Sequence, residues 1–247
     1  MGRLRSWSWN REGRTPRSGR AASRRVAPDG LPWFPPSLAG VCLRYAAMEM
    51  AGFSRLPDAT AQARMARGSR QHRAFVAELR RRGVLVASET EIVDPVWGVR
   101  GRVDAWVHGD GGPVLVEYKS TTRERLDAWL ADGRVPVRFY AQIILYLAVS
   151  RRRQGLLVVE DDAARRLLVP VAPDPRWTGW VGARVARARS AAGGSLPPRE
   201  VARHCLTCDR WFHCFANESE RDAHVGATPA WQPEPPLPAE PARWQVR

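Results

Sequence analysis

At 247 residues with 44% hydrophobic content, the chain is long enough for one domain around a buried core. It contains no apolar run of about 18 residues, so no membrane-spanning helix is expected. The formal net charge of +14 points to an anionic partner, nucleic acid first. Half of that excess sits in residues 1–28, where Arg3, Arg5, Arg11, Arg14, Arg17, Arg20, Arg24 and Arg25 face Glu12 alone.

Residues 1–36 read as a disordered basic arm, with WSW at 7–9 as a small docking element or nothing. That arm lacks the apolar stretch of a secretory signal, and the chain reads as cytosolic. Ser37 can cap a helix through LAGVCLRYAAMEM to about Gly52. A second helix is expected from Ala59 to Arg82, ended by Gly83. SETEIVDP (88–95), GVRGRVDAWV (98–107) and GPVLVEYK (112–119) then predict three strands, the last two joined by the turn HGDGG. VRFYAQIILYLAV (137–149) predicts an apolar helix packed across a sheet. QGLLVVED (154–161) and RRLLVPVA (165–172) predict a hairpin through Asp161–Ala164. A helix follows over Pro175–Ala192, with Arg184, Arg187 and Arg189 expected on its exposed face. A cysteine-rich segment (204–216) and a Pro-rich, disordered tail (226–247) complete the chain. This order gives an α/β (α+β) class, a central mixed sheet flanked by helices.

Of 39 lysines and arginines, the one lysine is Lys119. A chain that otherwise writes its cations as arginine keeps a lysine where a planar, always-charged guanidinium would fail. Glu117 and Lys119 point the same way along one strand, and a neighbouring strand can bring Asp104 beside them. Carboxylates hold hard divalent cations through oxygen. Such an ion activates water and neutralises phosphate charge, while the ammonium steadies the transition state. The alternative for these residues is an ordinary cross-strand salt bridge.

GRVD (101–104) followed by EYK (117–119) resembles the PD-(D/E)XK nuclease superfamily, in its RecB-like branch. RGSRQH (67–72) resembles the branch's helical motif, which implies His72 as a metal ligand. QIILY (142–146) resembles its Q-x-x-x-Y, which implies that Gln142 and Tyr146 touch Lys119 or DNA. The resemblance covers residues 37–216 and implies a restriction-endonuclease-like core and Mg²⁺ or Mn²⁺ at His72, Asp104, Glu117 and the main-chain carbonyl of Tyr118. It also implies DNA as substrate, single-stranded or with free ends.

Cys205, Cys208 and Cys214 form C-x2-C-x5-C, and Cys42 lies far upstream. The layout resembles the iron–sulfur nucleases of that branch, CRISPR-associated exonucleases and AddB-type recombination subunits, some of them phage-encoded. There, such a set binds a [4Fe-4S] cluster that staples the chain's ends. Zn²⁺ is the competing occupant, held by the trio with His204 or His213, or by all four thiols. Trp211 and Phe212 would shield the cluster or plug a core edge. By the resemblance, Cas integrase or phage recombination proteins would be partners, in recombination, replication or antiviral defence.

Arg123 and Arg125 follow the active-site strand and could hold phosphates; Arg64, Arg67, Arg70 and Arg73 recur at i+3 and could line a DNA groove. Trp97, Trp106 and Trp129 stack bases or pack in the core. The rival function is a non-catalytic DNA-binding scaffold with a metal staple; an RNA-directed nuclease is a third reading.

Overall fold

The computed structural model describes residues 26–56, 58, 60–228 and 245–246. The WSW element, most of the basic arm and most of the Pro-rich tail lie outside these residues. Among the described residues no helix is long and apolar enough to cross a membrane.

Six strands form one sheet: β1 (Leu85–Asp94), β2 (Val99–Val107), β3 (Val114–Ser120), β4 (Gly155–Glu160), β5 (Arg166–Val171) and the short β6 (Gln245–Val246), in that spatial order. All neighbours are antiparallel except β3 and β4, which are parallel. A parallel pair needs a crossover, and α3 (Arg123–Asp132) and α4 (Val137–Ser150) provide it. The fold is a restriction-endonuclease-like core, a mixed sheet flanked by helices, as the sequence predicts.

One face of the sheet is covered by α4, α1 (Leu43–Ala51) and α5 (Pro175–Ala192). Every residue of α4 from Phe139 to Leu147 is buried, which explains its apolar sequence on all sides. On the other face α2 (Ala61–Arg81) packs Phe75 and Val76 against Ala105, Val116, Tyr118 and Val158. The hairpin expected through Asp161–Ala164 is present. Buried Asp161 accepts from the backbone N–H of Ala163 and Arg165, both at 2.9 Å, while Ala164 takes a left-handed φ of 63°.

Several boundaries move. Residues 26–36 belong to the fold rather than to a disordered arm: Phe34 is fully buried and bridges Val99, and Asp29 pairs with Arg189. Pro36–Leu38 is a 3-10 turn, so α1 starts after Cys42 rather than at a Ser37 cap. The expected disordered tail begins too early, because α6 (Glu218–Ala227) crosses residue 226 and Gln245–Val246 pair with β5. Arg184 and Arg189 are buried on α5, not exposed, because each reaches a carboxylate: Glu200 for Arg184 and Asp29 for Arg189. Only Arg187 of the three is exposed.

Candidate active site

The β2–β3 ladder is short, with pairs Val107↔Val114, Trp106↔Leu115 and Ala105↔Val116. Its register continues to Asp104 opposite Glu117, and there the strands part. The Asp104 carboxylate fills the gap by accepting the Tyr118 N–H at 2.8 Å. A residue's N–H and C=O leave a strand on the same side, so the Tyr118 carbonyl faces this cleft too. The Tyr118 ring turns to the opposite face and stacks on Phe75, centroids 4.7 Å apart.

Glu117 is 1% exposed. Its Oε1 meets Lys119 Nζ at 2.7 Å, while its Oε2 is buried with no hydrogen-bond partner. Burial pushes the Glu117 carboxyl up to about 7, Lys119 pulling it back and Asp104 adding repulsion. Asp104 is also raised by burial, against the Tyr118 N–H and the charges of Lys119 and His72.

Both motif residues of α4 brace these strands from behind. Gln142 Oε1 accepts from Lys119 Nζ at 2.9 Å, so the ammonium is fixed between two oxygens. Tyr146 Oη donates to the Arg102 carbonyl at 2.7 Å and accepts the Arg102 N–H at 3.1 Å, pinning β2 two residues before Asp104. Gly101 permits this grip: a Cβ there would stand 2.9 Å from Tyr146 Oη and 2.6 Å from the Pro36 ring.

From the α2 side, His72 Nε2 comes within 3.6 Å of Asp104 Oδ1, and its Nδ1 within 3.4 Å of Glu89 Oε1. His72 Nε2 is buried without a hydrogen-bond partner. Among the described residues, His72, Glu89 and Asp104 are the one group of three metal-ligating side chains whose ligand atoms all lie within 4.8 Å of one another. An imidazole, carboxylate oxygens and two orphaned buried atoms fit a divalent cation. Glu89 is the residue sequence reasoning missed. In SETEIVDP it is one acid among three on a polar edge strand, and only the β1–β2 register sets it beside Asp104.

A groove of about 540 Å³ opens next to this cluster, lined by Ser69, His72, Arg73, Val76, Arg80, Glu89 and Arg102. Of the expected arginine stripe on α2, only Arg73 lines it. Arg64 is bound to Asp58, Arg70 is exposed away from it, and Arg67 is half-buried where α2 passes Ser120. Arg123 and Arg125 lie exposed on the first turn of α3. The tryptophans pack inward: Trp106 is in the core, Trp129 sits edge-on to Phe139, and Trp97 abuts Gly182.

The cysteine segment straps onto α1. Arg184 holds Glu200 through two contacts of 2.7 and 2.8 Å, and Glu200 accepts the Leu43 N–H beside Cys42. Cys205 Sγ lies 3.9 Å from the Glu200 carbonyl. At the other end of α1, Arg210, 2% exposed, pairs with Glu49 and donates to the Phe53 carbonyl. All four cysteines are free and half-buried; burial pushes the Cys42 thiol up to about 11 and raises those of Cys208 and Cys214. His213 Nε2 lies 3.2 Å from the Ser54 carbonyl.

No protein-family model and no functionally curated protein matches the sequence. Among solved structures the chain is similar to an alkaline exonuclease (LHK-Exo) from Laribacter hongkongensis. The TM-score is 0.52 at 16% identity, over 70% of this chain and 90% of that one. LHK-Exo in complex with dAMP gives 0.51 at 15% identity, with the same coverage. What this chain shares with that exonuclease is its fold.

Proposed function

We propose that the protein is a metal-dependent deoxyribonuclease that hydrolyses phosphodiester bonds in single-stranded or end-containing DNA. The observation that carries this reading is the parted β2–β3 cleft, where the ligand atoms of His72, Glu89 and Asp104 lie within 4.8 Å of one another and Glu117, level with Asp104 on the next strand, meets a fixed Lys119. The fold shared with an exonuclease supports it.

His72, Asp104, Glu117 and the Tyr118 carbonyl would hold Mg²⁺ or Mn²⁺, which supplies an activated water and charge neutralisation at the phosphate. Lys119 offers its ammonium to the scissile phosphate or the attacking water. Gln142 fixes that ammonium, and Tyr146 fixes the strand carrying Asp104. Arg73, Arg80 and Arg102 give the adjoining groove a cationic wall, and nucleic-acid phosphates are the ligand such a wall suits. Arg123 and Arg125 stand past β3 as further phosphate contacts.

Cys42, Cys205, Cys208 and Cys214 would bind a [4Fe-4S] cluster that locks the strap to α1. Of the two histidines that could complete a zinc site with the trio, His213 is engaged with Ser54. An anaerobic preparation that is brown and absorbs near about 400 nm supports the cluster; a colourless, zinc-loaded one refutes it. In this reading the enzyme works in the cytoplasm, in recombination, replication or CRISPR spacer acquisition, beside integrase or phage recombination proteins.

The test is digestion of end-labelled single-stranded and duplex oligonucleotides in Mg²⁺ or Mn²⁺. The wild-type chain should cleave, and Asp104→Ala and Lys119→Ala should not. Binding without cleavage by the wild type would favour the scaffold reading, and undiminished cleavage by the variants would remove the assignment.

A further inference from the structure

We infer that Glu89, on the edge strand β1, is an additional ligand of the divalent cation, supplied from outside the motif residues. The inference rests on the metal-dependent reading of the site and extends its ligand set.

Register comes first. Ser88 pairs with Ala105 and Thr90 with Val103, so Glu89 lies level with Asp104, which in turn lies level with Glu117. Three adjacent strands therefore set three carboxylates in a row. Such a row is repulsive, because like charges opposite one another on adjacent strands destabilise a sheet. A divalent cation is the ligand that turns this repulsion into attraction.

Backbone conformation points the same way. Glu89 adopts a φ of 52° within a strand, a left-handed conformation that costs a non-glycine residue energy and that clusters at functional sites. The conformation accompanies a side chain that is turned to the cleft, its Oε1 3.4 Å from His72 Nδ1.

The unpartnered atoms give the third, independent line. His72 turns Nδ1 to Glu89 and Nε2 to Asp104, Nε2 is buried with no hydrogen bond, and the ligand atoms of His72, Glu89 and Asp104 lie within 4.8 Å of one another. Buried polar atoms of this kind call for a ligand. The other carboxylate oxygen of Glu89 is held by Arg102 Nη1 at 2.8 Å. We therefore expect Arg102 to compete with the cation for Glu89.

The experiment is Mn²⁺ binding to the full chain by calorimetry and electron paramagnetic resonance, without nucleic acid. Glu89→Gln should weaken binding about tenfold or more. Glu91→Gln removes the next acid of β1, which pairs with Arg100, and should leave affinity unchanged. Arg102→Gln frees Glu89 and should tighten binding. If Glu89 serves only the ion pair with Arg102, its removal and that of Arg102 would both leave Mn²⁺ affinity at the wild-type value, which overturns the inference. Circular dichroism confirms that each variant is folded, and Glu89→Asp keeps a carboxylate for the case in which Glu89→Gln is not. Wild-type Mn²⁺ binding without cleavage would sink the nuclease reading alone; cleavage with unchanged Glu89→Gln affinity would sink this one alone.

Discussion

The carboxylate cleft and the cysteine strap are both built from charged groups in a protein interior, yet they treat those groups in opposite ways. In the strap, Arg184 bonds Glu200 and the Val41 carbonyl, and Arg210 faces Glu49 and donates to the Phe53 carbonyl. Each cation thus meets its own carboxylate, although Arg210 Nη1 and Glu49 Oε2 share an ion pair without an aligned hydrogen bond. In the cleft, Glu117 Oε2 and His72 Nε2 are left unpartnered and two carboxyls are pushed up by burial. Satisfied buried charge holds structure; unsatisfied buried charge keeps a place for a ligand. Substitutions in the strap should therefore cost stability, and substitutions in the cleft should cost activity.

The largest stability effect should come from Arg184→Ala, which leaves half-buried Glu200 with the Leu43 N–H, or from Arg210→Ala, which leaves half-buried Glu49 with Arg55. About 3–5 kcal/mol of unfolding free energy is the expected loss, read from denaturant titrations. A loss under about 1 kcal/mol would break the contrast. Tyr146→Phe removes both bonds to the Arg102 backbone, and Gln142→Ala frees Lys119. Each should lower the cleavage rate by about ten- to a hundredfold with a stability cost of about 1–2 kcal/mol.

The cleft also sets a pH dependence. The Glu117 carboxyl is raised to about 7 in the folded chain, above its ordinary value of 4.5, so the folded state holds its proton longer than the unfolded state. Its stabilising share is complete below the unfolded value and disappears as pH rises through about 7. Asp104 shifts in the same direction. Thermal melts of metal-free protein should therefore fall between pH 5 and pH 8, and Mn²⁺ should restore the loss at pH 8. Melts that rise across this window would contradict the burial of an unneutralised pair. The smallest effect is expected in the groove: Arg73→Ala with Arg80→Ala should flatten the salt dependence of single-strand binding by about 1.4 in log–log slope, roughly 0.7 per lost phosphate contact.

The cleft was largely legible in the sequence because its parts are local. Asp104, Glu117 and Lys119 lie on neighbouring strands, so spacing brings them together; Gln142 and Tyr146 share one face of a helix, and the family resemblance is what implies their place beside Lys119. Glu89 was illegible because its place depends on a register and a backbone angle. The strap was half legible: C-x2-C-x5-C marks the trio, but nothing in the sequence links Glu200 to Leu43 or Arg210 to Glu49, which are far apart in the chain. Two helices were missed although their signals stand in the sequence. Leu126, Trp129 and Leu130 give α3 an apolar stripe, and on α6 the Asn217 side chain caps the Glu220 N–H at 2.8 Å while the Glu220 carboxylate accepts the Ala216 N–H at 2.6 Å. Both are only ten residues long, short enough to be read as loop. The burial of Arg184 and Arg189 was misjudged because helical spacing alone does not show a distant carboxylate.

One substitution sets stability and activity against each other within a single side chain. Glu117→Gln keeps the shape and can still accept from Lys119, but it removes a buried charge and a metal ligand. The decisive measurement is its single-turnover cleavage of a labelled oligonucleotide in Mn²⁺, beside its metal-free melting temperature at pH 8. The cleft described here predicts cleavage slower by about a hundredfold or more and a melting temperature higher than wild type. Cleavage at the wild-type rate would contradict the assignment of Asp104, Glu117 and Lys119 as the reacting centre.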